Sequence, residues 1–239
     1  MPQPSLRARW LLTGFLLVLV AVFLALGTWQ VQRLFWKLDL IARVESRVHA
    51  DPLPAPASAE WPAISQEKDE YRHVTATGLF QHDKTVLVQA VTERGAGFWV
   101  LTPLVLPDES TIVINRGFVP ADKRDPAARV ASEVAAGPVT VTGLLRLSEP
   151  GGGFLRANDP ANDRWFSRDI AAIAATKGLN NVAPYFIDAD ATPNPGGLPV
   201  GGLTVIAFRN SHLVYALTWY ALAVMSLAGV YLVRKQRAA

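Results

Sequence analysis

Cysteine is absent from the 239 residues. Disulfides, zinc–thiolate sites and thiolate copper sites are excluded with it. Methionine occurs only as Met1 and Met225, which argues against a methionine copper site. The common catalytic signatures are missing too. There is no G-x-S-x-G elbow, no H-E-x-x-H, no P-loop and no G-x-G-x-x-G after a strand. No internal repeat is visible. Acidic charge is slightly outnumbered, for a net charge of +3. Such an excess can signal nucleic acid, but its placement argues otherwise. Arg7, Arg9, Arg33, Lys37, Arg43, Arg209, Arg234, Lys235 and Arg237 all flank two apolar blocks. Basic residues beside a bilayer account for the excess, so the expected partner is lipid and not nucleic acid.

Those blocks, Trp10 to Thr28 and Leu213 to Val233, contain no charge. A hydrocarbon core roughly 30 Å thick needs about 20 apolar residues as a helix. Backbone in lipid must satisfy its own hydrogen bonds, so each block is expected as a transmembrane helix. The first could instead be a cleaved signal peptide, with Arg7 and Arg9 as its basic region and Ala25-Leu26-Gly27 as the cleavage site. Its length, and a helical pattern continuing beyond it, favour a retained anchor. Two spans put both termini on one side. Basic residues near the helix ends nearly balance, but charges on long connections count for less. The expectation is cytoplasmic termini and a central domain outside a bacterial inner membrane. Only nine residues precede Trp10, short for a mitochondrial transit peptide.

The domain organisation reads as follows. Residues 1–9 are a cytoplasmic N-terminus and 10–29 the first transmembrane helix. Residues 30–50 continue as a juxtamembrane helix, with Val31, Leu34, Leu38, Ile41, Glu45 and Val48, mostly apolar, at three- and four-residue steps. This segment either leaves the bilayer as a stiff helix or lies on its surface. Residues 51–64 hold Pro52, Pro54, Pro56 and Pro62 and are expected as an extended linker. Residues 65–209 form the extracytoplasmic domain, 210–233 the second transmembrane helix and 234–239 a cytoplasmic tail. The fold class expected is therefore two transmembrane α-helices flanking a mainly antiparallel β (α+β) domain. Within it, strands are predicted at Tyr71–Thr77, Thr85–Val91, Phe98–Leu106, Thr111–Phe118, Val139–Leu147, Pro184–Asp188 and Leu203–Arg209. Pro107–Ser110 reads as a hairpin turn, and Gly151–Gly153 and Thr192–Gly202 read as loops. Asp169–Thr176 reads as a short helix capped by Ser167 or Asp169.

The chain has four histidines. His73 and His82 lie in or beside the first two predicted strands, where exposed strand or turn positions explain them better than an acid–base or metal role. Asp188 and Asp190 read as turn residues, not calcium ligands. His212 stands at the entrance of the second span, and on a helix it shares a face with Tyr215, Ala216 and Trp219. Ionisable residues at membrane depth are functional candidates by default. A neutral imidazole there can be an axial haem ligand, with Tyr215 and Trp219 against the macrocycle and Ala216 leaving room for it. An interfacial histidine among headgroups is the other reading. Small residues Gly14, Ala21 and Ala25, and Ala216, Ala223 and Ser226, could let the two spans pack closely.

Four segments carry a family likeness: Leu26-Gly27-Thr28-Trp29-Gln30-Val31-Gln32-Arg33-Leu34-Phe35-Trp36-Lys37; Val113-Ile114-Asn115-Arg116-Gly117-Phe118-Val119-Pro120; Pro184-Tyr185-Phe186-Ile187-Asp188; and Asn210-Ser211-His212-Leu213-Val214-Tyr215-Ala216-Leu217-Thr218-Trp219-Tyr220. In this order the sequence resembles the Surfeit-locus cytochrome c oxidase assembly proteins of bacteria and mitochondria. The resemblance implies a non-enzymatic assembly factor for haem–copper terminal oxidases that binds haem a or helps insert it into the catalytic subunit. It implies the oxidase catalytic subunit and haem a synthase as partners. In bacterial members a histidine of the second-span motif is implicated in haem a binding, and His212 occupies that position here. Tyr215 and Trp219 are the accompanying candidates. Arg116, in a docking turn at Asn115–Gly117, is a docking candidate or a structural salt bridge, and Trp29 and Arg33 are docking candidates at the exit of the first span. The family commonly has Trp where this chain has Phe118, which implies a packing difference. A membrane-anchored module that stabilises an oxidase subunit without haem is the alternative. A sensor is disfavoured by the short tail after Val233, and an anchored hydrolase would have to use His73, His82 or Asp83.

Overall fold

The computed structural model describes residues 6–133, 137–153, 155–206, 208 and 210–235. The chain divides into two compact units: Met1–Arg43 with Ala207–Ala239, and Val44–Ile206.

The first unit is built from two helices, α1 (Leu6–Val48), whose last residues belong to the second unit, and α5 (His212–Lys235). Both are long and apolar enough to cross a membrane. The buried positions follow a heptad rhythm. On α5 they are Ala216, Ala223, Ser226 and Val230, and on α1 they are Thr13, Val20 and Gly27. Most other side chains of both helices are exposed. The small residues expected on α5 do form its packed face. Those expected on α1 do not: Gly14, Ala21 and Ala25 are exposed. The α1 seam runs beside them, so spacing to the true seam, not residue size, decides the face.

The second unit is a curled sheet of β1 (Leu53–Pro54), β2 (His73–Phe80), β3 (Val86–Thr92), β4 (Gly95–Val105), β5 (Thr111–Pro120), β6 (Val139–Leu147) and β9 (Val182–Ala189), in the order β1-β2-β6-β9-β5-β4-β3. The end of β2 also pairs with β4, at Leu79 opposite Val105 and Phe80 opposite Leu104. That contact closes β2-β6-β9-β5-β4 into a ring. A small hairpin, β7 (Gly152–Gly153) and β8 (Arg156–Ala157), and short helices α2 (Gln66–Asp69), α3 (Val130–Glu133) and α4 (Ile170–Lys177) complete it. Asp169 caps α4 by accepting from the Ala172 amide, as the sequence indicates, and Gly178 ends it in the left-handed conformation.

Period-two alternation separates two cores. Ile112, Ile114, Tyr185 and Ile187 face one, with Val74, Leu104 and Leu145. Val113 and Phe186 face the other, with Val86, Val88, Leu101 and Trp165 under α4. Strands β5 and β9 are thus apolar on both faces and lie at the centre of the sheet. Phe118 belongs to this packing, with its ring edge-on to Trp99 at 6.0 Å. Gly117 has a φ of +125°, and a Cβ there would lie 2.2 Å from the Val200 carbonyl oxygen, so only glycine lets that segment close on β5.

Several expectations need correction. The sheet is mainly antiparallel, as expected, but β1 runs parallel to β2 and β5 parallel to β9. The proline-rich segment 51–64 is not a free linker. Leu53–Pro54 pairs with β2, and the Pro56 carbonyl accepts from the Tyr185 hydroxyl at 2.9 Å and from the Trp61 indole at 3.1 Å. Proline blocks helix and interior pairing, but a sheet edge tolerates it. Gly152–Gly153 is strand, not open loop. No strand forms at 203–206, 208 or 210, and Ala207 and Arg209 lie outside the described residues.

Asp188 is a buried strand residue, 3% exposed, and not a turn. Its carboxylate accepts from Asn115 at 2.7 Å, Thr204 at 3.0 Å, and Arg146 and Arg168 at 3.1 Å each. Arg146 also pairs with Glu70 at 2.7 Å, and Arg168 with Glu149 at 2.5 Å. Each guanidinium covers an aromatic ring at 4.7 Å, Arg146 over Tyr71 and Arg168 over Phe186. Burial works against the charged form of Glu149, but the hydrogen bond and charge of Arg168, with Arg146 nearby, prevail and hold its carboxyl below the usual value.

Candidate functional site

His212 is the first residue of α5, half-buried. Its Nδ1 lies 2.7 Å from Oε1 of Gln30 on α1. The Asn210 side chain accepts from the His212 amide at 3.4 Å, tying down an otherwise open N-terminal N–H. One heptad before Gln30 on α1 is Phe23, and one heptad after His212 on α5 is Trp219. Their rings stack at 5.7 Å with planes 25° apart. The two contacts run in opposite chain directions, so the helices are antiparallel neighbours. Between them Thr28 and Tyr220 share a hydrogen bond of 3.2 Å across the pair. The Tyr220 ring lies over Gly27, where a Cβ would come within 2.7 Å of it. The Gly27–Gln30 turn of α1 is therefore fitted to the start of α5.

The sequence-predicted residues separate around this seam. Ala216 is 2% exposed, so it is packed and leaves no open space. Trp219 is engaged by Phe23. Tyr215 is 54% exposed on the outer side of α5, so an aromatic surface flanks His212 outside the helix pair and not within it. Trp29 and Arg33 are exposed on α1, and the Arg33 guanidinium sits 4.4 Å above the Trp36 ring. Gln30 was not singled out from the sequence. Its signal was present, as a polar side chain in step with the α1 seam near the end of the apolar run.

Arg116 belongs to the second unit and is placed otherwise than expected. Asn115–Gly117 is strand, not a docking turn, and Arg116 is 4% exposed. Its guanidinium lies 4.9 Å from the Phe80 ring centre, donates to Asn194 at 3.2 Å and is 3.4 Å from Nδ1 of His82. It lines a cavity of about 260 Å³ with Thr140, Thr142 and the Thr192–Pro195 segment. His73 is elsewhere, its Nδ1 2.8 Å from the Ala50 carbonyl. His73, His82 and Asp83 do not assemble into one site. Among the described residues no group of three or more His, Cys, Asp or Glu is placed to hold a metal ion.

In chain order, a closed β-barrel domain follows one apolar helix and precedes a second that begins with a histidine, and this layout defines the class of the protein. The family model described as SURF1 family matches residues 17–224. The chain belongs to the SURF1 family. Surfeit locus protein 1 of Mus musculus is 40% identical over 229 residues, covering 88% of this chain and 72% of the relative. Surfeit locus protein 1 of Homo sapiens is 38% identical over 234 residues, 90% of this chain and 73% of the relative. A SURF1-like protein of Monosiga brevicollis is 37% identical over 246 residues, 97% of this chain and 90% of the relative. Membership implies a part in cytochrome c oxidase assembly. The two apolar helices suggest anchoring in a membrane.

Proposed function

We propose that this chain is an oxidase assembly factor that holds haem a at His212 and helps its insertion into the catalytic subunit of a haem–copper oxidase. The observation that carries the reading is a half-buried imidazole at the head of an apolar helix pair, with the exposed Tyr215 ring beside it. Haem a is the cargo, too apolar to cross water unaided. His212 provides one axial bond and Tyr215 an aromatic contact. Trp219 acts through Phe23, keeping the two helices in register. A single axial bond suits a carrier, because the cargo must leave. Both helices span the bacterial inner membrane, with the termini cytoplasmic and the barrel periplasmic. Trp29 and Arg33, exposed on α1, are docking candidates for the catalytic subunit, and haem a synthase is the expected donor. Arg116 is too buried to touch a partner directly, so its part is to hold strand β5.

The test is the absorption spectrum of the purified full chain, wild type and His212→Ala, each from cells that make haem a. Haem a in the wild type and its loss in the variant is the expected result. Equal haem content in both would refute His212 as a ligand. Haem in neither would favour a module that grips the oxidase subunit without carrying haem.

A further inference from the structure

We infer that Gln30 is a positioning residue for His212, fixing the imidazole as the tautomer that can bind a metal through Nε2. This rests on the reading of His212 as a haem ligand. A neutral imidazole carries one proton, on either Nδ1 or Nε2, and in water the proton favours Nε2. Only the other nitrogen has a lone pair to give. Gln30 Oε1 can only accept, and it stands 2.7 Å from Nδ1. The proton is therefore held on Nδ1, and the Nε2 lone pair is left for a ligand. The hydrogen bond a histidine makes through one nitrogen sets what its other nitrogen does.

The location strengthens this. Gln30 and His212 come from opposite ends of the chain, and nothing local puts them together. Their alignment is enforced by the Phe23–Trp219 stack and by the Tyr220 ring over Gly27. The amide is also the right chemistry for a carrier. A carboxylate at this position would pull on the Nδ1 proton, raise the basicity of Nε2 and tighten the metal bond. A neutral amide orients the ring without that gain, so the axial bond stays weak enough to release.

The experiment uses the full chain in detergent micelles with ¹⁵N-labelled histidine, at a pH where imidazole is neutral. The His212 signals are assigned by their loss in His212→Ala. Without haem, wild type should show the Nδ1–H tautomer and Gln30→Leu should shift toward Nε2–H. Titration with hemin then reads affinity. Gln30→Leu should bind roughly 10- to 100-fold more weakly, the range for losing a partner that orients a metal ligand. Gln30→Glu should restore binding and lower the midpoint potential of the bound iron, which a purely structural contact would not do. Nε2–H in the wild type would overturn the inference. An unmoved tautomer with unchanged hemin binding in Gln30→Leu would do the same, and loss of binding in His212→Ala would then leave the haem reading standing. Hemin binding unaffected by His212→Ala would sink the haem reading and, with it, the role of Gln30 in metal binding. The tautomer result would then stand as geometry alone.

Discussion

Replacing Asp188 with alanine should loosen the centre of the barrel, and the size of the effect follows from its neighbours. Asp188 is shared by Arg146 and Arg168, with Asn115 and Thr204 also donating to it. Removing one member of a buried ion pair ordinarily costs about 3–5 kcal/mol. Here neither arginine is stranded, because Glu70 keeps Arg146 and Glu149 keeps Arg168. Some desolvation cost of the carboxylate is also recovered. Against that, two guanidiniums lose their shared counter-charge, and the buried Asn115 amide loses its acceptor. The balance falls at the low end, about 3 kcal/mol. Amide hydrogen exchange of β9 peptides, read by mass spectrometry on the full chain, measures opening of this strand. Exchange should quicken roughly 100-fold, since each 1.4 kcal/mol is about a factor of ten. Asp188→Asn keeps the shape and an oxygen facing Asn115, and should fall between. A change below about fivefold for Asp188→Ala would refute the reasoning. It would mean that the two glutamates neutralise the arginines without help.

Two further outcomes are expected. The Glu149 carboxyl titrates lower folded than unfolded, so its contribution is full above its ordinary value of 4.5 and is lost as pH falls through the lower folded value. Comparing wild type with Glu149→Gln by thermal unfolding should give a difference that is largest near neutral pH and shrinks toward pH 3; a constant difference would exclude the linkage. Tyr185→Phe should cost about 1 kcal/mol, since the Pro56 carbonyl keeps its bond from Trp61 and only one buried hydrogen bond goes. The check is protease cleavage within residues 51–64, which should speed up selectively.

Much of the fold was legible where one physical signal dominated. The apolar blocks, the strand at Val139–Leu147 and the Asp169 cap follow from length, alternation and capping chemistry. The errors arose where a local signal met a nonlocal partner. The proline-rich segment reads as linker because its partners, the β2 edge for Leu53–Pro54 and Tyr185 for Pro56, lie far along the chain. Asp188 reads as a turn residue because Arg146 and Arg168, which make its burial affordable, are distant in sequence. Leu203–Ile206 alternates well enough for a strand, but among the described residues it pairs with no other strand. The site was legible in part for the same reason. His212 stands out as an ionisable residue at the head of an apolar run. Gln30 becomes visible only once the antiparallel register of the helices is known.

The place of β9 has a consequence for how the second unit folds. This strand, Val182–Ala189, lies between β6 and β5 and supplies Tyr185, Phe186 and Ile187 to the two cores. Until it emerges from the ribosome, β5 offers an unpaired apolar edge and neither core can be completed. Local hairpins such as β3–β4 form early, but ring closure waits for the last strand and for contacts of long sequence separation, which are slow to find. The nascent domain therefore passes through a stage with a sticky, open sheet. Conditions that lengthen that stage should favour aggregation during synthesis over unfolding afterwards.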